Sequence, residues 1–391
     1  MASSASTFAR VARDSGPLWA CTLAFDRVVP LGAVRLWRPL LIAEAVLARQ
    51  VEAILEAWGL SDEHISITVE KMLYADLRGI DGHGCSKLRF YHELLADGRL
   101  NPSPAIEVAR TSEATVVVDG DGGLGHVPAT VAMEEAIDRC QATGVGVAAV
   151  RNSGHYGAAG AYAVMAADRG LIGVATTSTP TPALVPTFGR DPLLGTNPIA
   201  VAAPAVRNRH FLLDMATSTV SLGKLVQRWR SGRPIPRGWA LNGRGRAVTN
   251  GRVAARHRRL APLGGQPETA SYKGYGLALV VEILSSILPG LEAATPSAGR
   301  RPVGHFLLAL DPARFRPEGS LSADLDDLLD SMHRAAPANP NRPVLVPGDP
   351  EELIRAKRGA QGIPLPKSVV EDIRAVAIAS RAPFLLGSVR R

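Results

Sequence analysis

Val145-Gly-Val-Ala-Ala-Val150, followed by Asn152-Ser-Gly-His-Tyr-Gly-Ala-Ala-Gly160, is the stretch on which the fold turns. The first run is short, apolar and valine-rich, as a buried strand is, and the second opens an alanine-rich helical pattern at a turn of small residues. Outward from it, Thr115-Val-Val-Val-Asp119 reads as a strand, 127–143 as a helix, 158–169 as a helix and 171–176 as a strand. Strand alternating with helix predicts an α/β layered fold. Further strands are expected at Ile199 to Ala203, Phe211 to Asp214 and Gly304 to Leu310, with helices at 274–288, 321–334, 349–359 and 367–380. On the N-terminal side, apolar periodicity predicts a helix from Leu41 to Gly59. A second is capped by Ser61-Asp62 and ends near Arg78-Gly79, and a third carries Leu88, Tyr91, Leu94 and Leu95. Proline and glycine crowd 232–267, which reads as a long loop. Residues 1–40 show no sustained period and are expected to be a poorly ordered extension.

The chain has 391 residues, 46% of them hydrophobic, enough for a substantial core. Its net charge of +8 raises nucleic-acid binding as a candidate, but aromatic residues are only 5% and do not interleave with the basic stretches. A base-stacking surface is therefore not expected. The apolar runs are too short to cross a bilayer, which takes about 20 residues. Cys21, Cys85 and Cys140 lack metal-ligand spacing, so no metal site is expected and a reducing, cytoplasmic setting is.

His155 sits at the strand-to-helix turn among small residues, where a ligand can approach an imidazole suited to acid/base work near neutrality. A histidine merely hydrogen-bonded at a turn is the competing reading. Asp76-Leu-Arg78-Gly79-Ile-Asp81-Gly-His83-Gly84 gathers two acids, an arginine and a histidine on a glycine-bounded loop; paired Arg78 and Asp81 would be its bland explanation. Lys87 and Arg89 follow, either able to receive a carboxylate, although only arginine offers a two-pronged fork. Asp214, at a strand end, can orient a histidine, bind a ribose hydroxyl or cap the helix after it. Lys273, in Tyr272-Lys273-Gly274-Tyr275-Gly276, opens an apolar helix and suits a phosphate or carboxylate. Gly195-Thr196-Asn197-Pro198 reads as a tight turn. No Gly-x-Gly-x-x-Gly follows a strand, so the ordinary Rossmann phosphate turn is absent.

Taken together, Asp76 to Pro102, Asp119 to Gly173, Gly195 to Pro204, Asp214 to Lys224, Ile235 to Ala240, Lys273 to Leu284, Val303 to Pro312 and Gly362-Ile-Pro-Leu365 resemble the type 2 malate/L-lactate dehydrogenase family. Its members include ureidoglycolate, sulfolactate and cyclic-imine-carboxylate oxidoreductases. The resemblance implies a non-Rossmann α/β fold with a mixed sheet flanked by helices, NAD or NADP as cofactor, a small carboxylate substrate and a homodimer. It implies a helical, substrate-side domain of 41–118 plus 300–391 and a cofactor-binding domain of 119–299. By it, His155 is the acid/base, assisted by His83 and Asp214. Arg78, Lys87 and Arg89 face the substrate, and Ser178, Thr179, Asp214, Met215, Ala216, Lys273 and Gly274 face the cofactor. Two departures stand out: Gly82 replaces the serine of Ser-His-Gly, and Lys87 stands where the family has arginine. Interconversion of a 2-hydroxy acid and its 2-oxo acid is the leading expectation. Reduction of a cyclic imine carboxylate and a catalytically impaired dinucleotide-binding homologue are the alternatives.

Overall fold

The computed structural model describes residues 39–179, 181–230, 232–291 and 303–387. Cys21, most of the expected N-terminal extension and the segment before Val303 lie outside them. Three helices come first: α1 (Glu44–Ala57), α2 (Asp62–Leu77) and α3 (Leu88–Ala96), preceded by a three-residue strand β1 (Leu40–Ile42). The Ser61 hydroxyl accepts the His64 amide and starts α2, as its position before an apolar period predicts. Leu47, Ile54, Leu55, Met72, Leu88 and Tyr91 are among the side chains these helices bury in one cluster.

The chain then enters a seven-stranded sheet: β2 (Glu107–Arg110), β3 (Thr115–Asp119), β4 (Val145–Ser153), β5 (Ile172–Thr177), β6 (Ile199–Ala203), β7 (Phe211–Met215) and β10 (Val303–Leu310), in the spatial order β2-β3-β4-β10-β5-β6-β7. Only the β3–β4 pair is parallel. Between β3 and β4 runs α4 (His126–Thr143), and between β4 and β5 runs α5 (Gly160–Ala167). Both helices are alanine-rich because they lie close on the sheet. A Cβ at Gly146 would come within 1.7 Å of the Ala136 carbonyl oxygen, and only glycine admits that approach.

β10 lies between β4 and β5, antiparallel to both, and its residues are largely buried. A division at residue 300 would therefore cut the sheet, and one at 118 would separate most of β3 from β4. The described residues form one compact unit. The expected loop at 232–267 instead contains a hairpin of β8 (Ala240–Leu241) and β9 (Ala247–Val248) and a helix α7 (Gly251–His257), after α6 (Leu222–Arg230). Val220, Leu225, Ile235, Ala240, Ala254 and Leu260 give this lobe a small core of its own. The remaining helices are α8 (Ser271–Glu282), which continues as a π-turn at Ile283–Ile287, then α9 (Ser320–His333), α10 (Asp349–Gln361) and α11 (Lys367–Ser380). A strand β11 (Ile363–Leu365) pairs antiparallel with β1. No described helix is long and apolar enough to cross a membrane.

Candidate active site

The loop after α2 is held from beneath by a buried acid. Asp76 accepts the Cys85 amide at 2.8 Å, and its carboxylate lies directly against Gly84. Burial raises the Asp76 carboxyl to about 7, opposed by the Cys85 hydrogen bond. This anchor fixes His83 one residue before Gly84 and starts the short 3-10 turn Cys85–Lys87 that leads into α3.

From the opposite side, β4 ends at Ser153 after Asn152, whose φ of 49° turns the chain sharply. That turn delivers His155. Its Nε2 lies 3.2 Å from His83 Nδ1, and the two rings are parallel within 7° at 5.3 Å. Its Nδ1 lies 2.7 Å from the Tyr91 hydroxyl of α3 and accepts the Gly157 amide at 3.3 Å. An amide can only donate, so Nδ1 is an acceptor and the proton of neutral His155 resides on Nε2, facing His83. The Tyr91 hydroxyl can serve either tautomer, because it donates and accepts.

Burial lowers both imidazoles. His83 falls to about 4, with Lys87 adding to the effect, and His155 falls well below its usual value, with Lys87 and His83 contributing. Behind Tyr91 stands fully buried His126, edge-on at 5.8 Å, whose ring nitrogens have no partner. His305 of β10 pins the ends of two strands, with Nε2 2.9 Å from Ser153 Oγ and Nδ1 2.7 Å from Thr177 Oγ1, and it stacks on Tyr156 at 4.4 Å.

The three cations expected at the substrate divide sharply. Arg78 is paired with Glu352 of α10 at 2.9 Å and lies 3.8 Å over the Tyr74 ring. Asp81 pairs with Arg358, not with Arg78. Arg89 is exposed and pairs with Asp372 of α11 at 2.7 Å and with Glu93 at 3.1 Å. Lys87 differs: its ammonium lies 5.5 Å over Phe90 and has no carboxylate partner among the described residues. Burial and the charge of Arg258 lower its pKa.

Asp214 does not hydrogen-bond a histidine among the described residues. Its Oδ2 accepts the Gly160 amide at 2.8 Å, so it caps α5 from across the sheet rather than the helix that follows it. The amide and hydroxyl around His155 Nδ1 take the place of the expected orienting carboxylate. Burial raises Asp214 to about 6.

The segments expected to face the cofactor form one hydrogen-bonded wall. Thr179 Oγ1 accepts the Thr196 amide at 3.0 Å, the Thr217 amide reaches the Thr196 carbonyl at 2.9 Å, and the Leu263 amide reaches the Thr217 carbonyl at 2.9 Å. Leu263 in turn packs on Gly274, where a Cβ would meet its backbone at 2.4 Å. Ser178 Oγ accepts the Gly304 amide at 3.3 Å. Asn197 is more than a turn residue, because its amide donates to the Ala278 carbonyl and to Glu282 of α8. Half-buried Asp214, Met215 and Ala216 and exposed Lys273 lie along these segments. A carboxylate with one oxygen unbonded and an ammonium without an ion pair among the described residues fit the hydroxyl- and phosphate-bearing length of a dinucleotide.

Tyr91, His126 and His305 were not singled out by the sequence. The four-residue spacing of His83, Lys87 and Tyr91 was the available signal for the first; the other two read as core positions.

A model of the malate/L-lactate dehydrogenase family matches residues 42–374. The malate dehydrogenase of Pyrococcus abyssi is 36% identical over 332 residues, 84% of this chain and 91% of that protein. The (2R)-3-sulfolactate dehydrogenase (NADP(+)) of Chromohalobacter salexigens is 33% identical over 336 residues, 84% of this chain and 95% of that protein. The structure of malate dehydrogenase from Pyrococcus horikoshii OT3 superposes with a TM-score of 0.80 at 32% identity, covering 88% of this chain and 97% of that one. With the match extending from β1 into α11 and the mixed sheet shared, the chain belongs to the malate/L-lactate dehydrogenase family.

Proposed function

We propose that this protein interconverts a small 2-hydroxy acid and its 2-oxo acid with NAD or NADP, the proton moving through the His83–His155 pair. Family membership makes it a dehydrogenase acting on CH–OH groups with a nicotinamide cofactor. The observation that carries the proton assignment is the chain Tyr91 hydroxyl, His155, His83 beside Lys87, the one expected substrate cation left without an acid.

Ser178, Thr179, Asp214, Met215, Ala216, Lys273 and Gly274 would hold the cofactor, and the bound nicotinamide supplies the hydride acceptor or donor. Lys87 takes the substrate carboxylate. On oxidation the imidazole pair accepts the hydroxyl proton; both rings are neutral at physiological pH because burial and Lys87 disfavour their charged forms. In the resting tautomer Nε2 of His155 carries the proton; shifting to the Nδ1–H tautomer, with the Tyr91 hydroxyl accepting and the Gly157 amide contact given up, frees the Nε2 lone pair for the hydroxyl proton. Reduction needs one extra proton on the pair. A carboxylate on Lys87 favours it by cancelling the charge that opposes it.

The same reading includes a homodimer, supported by exposed Leu279, Val280, Ile283, Ile287 and Leu288 along α8 and its π-turn. A cytoplasmic location is supported by Cys85 and Cys140, both buried and free.

His155→Asn tests the assignment. Turnover should fall by about 10²- to 10⁴-fold, the usual contribution of a positioned acid/base, while NAD(P) binding persists. A folded variant with near-normal kcat/KM would refute it.

A further inference from the structure

His126 opens α4 and is fully buried, yet neither of its ring nitrogens has a hydrogen-bond partner among the described residues. Buried polar atoms left without a protein partner are costly, and an internal water is the usual remedy. The surroundings of the ring belong to the proton pair. It stands edge-on to Tyr91 at 5.8 Å and 87°. Its Nε2 faces Gly157, where a Cβ would lie 3.3 Å from Nε2 and 3.6 Å from the His83 carbonyl oxygen. Gly157 donates its amide to His155 Nδ1 at 3.3 Å, and the Tyr91 hydroxyl lies 2.7 Å from the same nitrogen. His126 therefore packs against both groups that hold His155 Nδ1.

Tyr91 has a need that His155 does not meet. While the hydroxyl donates to Nδ1, its proton is placed; once His155 carries Nδ1–H, the hydroxyl accepts from that nitrogen and its own proton must turn elsewhere. Tyr91 is fully buried, and its hydroxyl has no partner other than His155 among the described residues. The displaced proton needs an acceptor inside the protein. Burial, with Lys71 adding to it, lowers the His126 imidazole to about 3, so the ring is neutral near pH 7 and keeps one lone pair.

We propose that His126 is a positioning residue for the proton transfer: through one internal water it takes up the hydrogen bond of the Tyr91 hydroxyl whenever His155 carries Nδ1–H. No proton leaves Tyr91 or His126. On oxidation the substrate O–H bond breaks, an N–H bond forms at His155 Nε2, and the hydride passes to the bound nicotinamide. The run from Nδ1–H through Tyr91 and the water to His126 holds the second N–H of the resulting imidazolium. The role of His126 rests on the reading of His155 as the acid/base.

The test compares His126→Phe, which keeps a flat ring without nitrogens, with His126→Gln, which keeps an acceptor, in the full chain oxidising malate and lactate with NAD and with NADP. Losing the acceptor should lower kcat about tenfold with KM within about threefold, and His126→Gln should recover most of it. In a Tyr91→Phe background His126→Phe should cost less than about twofold, because the hydroxyl it serves is gone. Phenylalanine removes the polar atoms together with their need for partners, so the melting temperature should hold; where the larger ring lowers it, His126→Leu supplies the same comparison. Wild-type kcat in His126→Phe, or the same loss with and without the Tyr91 hydroxyl, overturns the assignment. Heteronuclear NMR of isotope-labelled histidines reads the contact without turnover: Tyr91→Phe should move a His126 ring nitrogen toward the position of an unbonded one, and an unmoved His126 overturns the assignment as well. Near-normal turnover in His155→Asn would remove the acid/base reading itself, whereas lost turnover there beside an unaffected His126→Phe removes the role of His126 alone.

Discussion

Lys87 acts on the proton affinity of both imidazoles, since it lowers the pKa of His83 and of His155. Oxidation requires a neutral base, so its kcat/KM should stay level as pH falls through 6 and decline only toward the His83 value of about 4. Removing the cation raises both imidazole pKa values, so Lys87→Gln should shift the acid limb to higher pH. The same variant should raise KM for the hydroxy acid by about tenfold, the loss expected for a charged hydrogen bond. A pH profile of kcat/KM checks both, and an acid limb that stays put or moves down contradicts the electrostatic assignment. At this scale His155, His83 and Lys87 were legible because small residues and loop signals surround them. The engagement of Arg78 by Glu352 and of Arg89 by Asp372 was not, because those acids lie 274 and 283 positions away in sequence. Asp214 was legible as a strand-end acid, but its partner, the Gly160 amide, is set by the neighbouring helix across the sheet.

Elements with a strong apolar period could be read closely: β3, β6 and α11 have the expected limits, and α4 and β4 start within a residue of theirs. The pair β1–β11 and strand β2 are three or four residues long and carry too little periodicity to be seen. Residues 232–267 read as a loop because their arginines, glycines and prolines mask two short strands and a seven-residue helix. The loop between α2 and α3 shows the opposite case, where few residues fix much geometry. A Cβ at Gly84 would lie 2.1 Å from Asp76 Oδ1, against a buried side chain with no room to withdraw. Gly84→Ala should therefore displace the Asp76–Cys85 bond, costing about 1–3 kcal/mol of stability as overpacking does. Because that bond anchors His83 and Lys87, activity should fall more than tenfold even where the variant stays folded. Denaturant unfolding and steady-state kinetics on Gly84→Ala read the two effects, and wild-type values for both would remove Asp76 from the account.

At the scale of the whole molecule, the layered α/β class follows from alternation of strand and helix, but the sheet order does not. β10 enters between β4 and β5 from more than 120 residues downstream, and no local pattern announces that insertion. It matters for function, because His305 on β10 ties together the strand ends that carry His155 and Ser178. The alternative substrate, a cyclic imine carboxylate, would use the same proton pair on nitrogen, and a delta1-piperideine-2-carboxylate reductase from Pseudomonas syringae shares the fold at a TM-score of 0.76. The most direct measurement is absorbance at about 340 nm, following NADH and NADPH separately against pyruvate, oxaloacetate, other 2-oxo acids and piperideine-2-carboxylate. A 2-hydroxy acid dehydrogenase should oxidise one of the two cofactors with a 2-oxo acid; oxidation by the imine alone, or none by any acid with cofactor bound, would contradict that assignment.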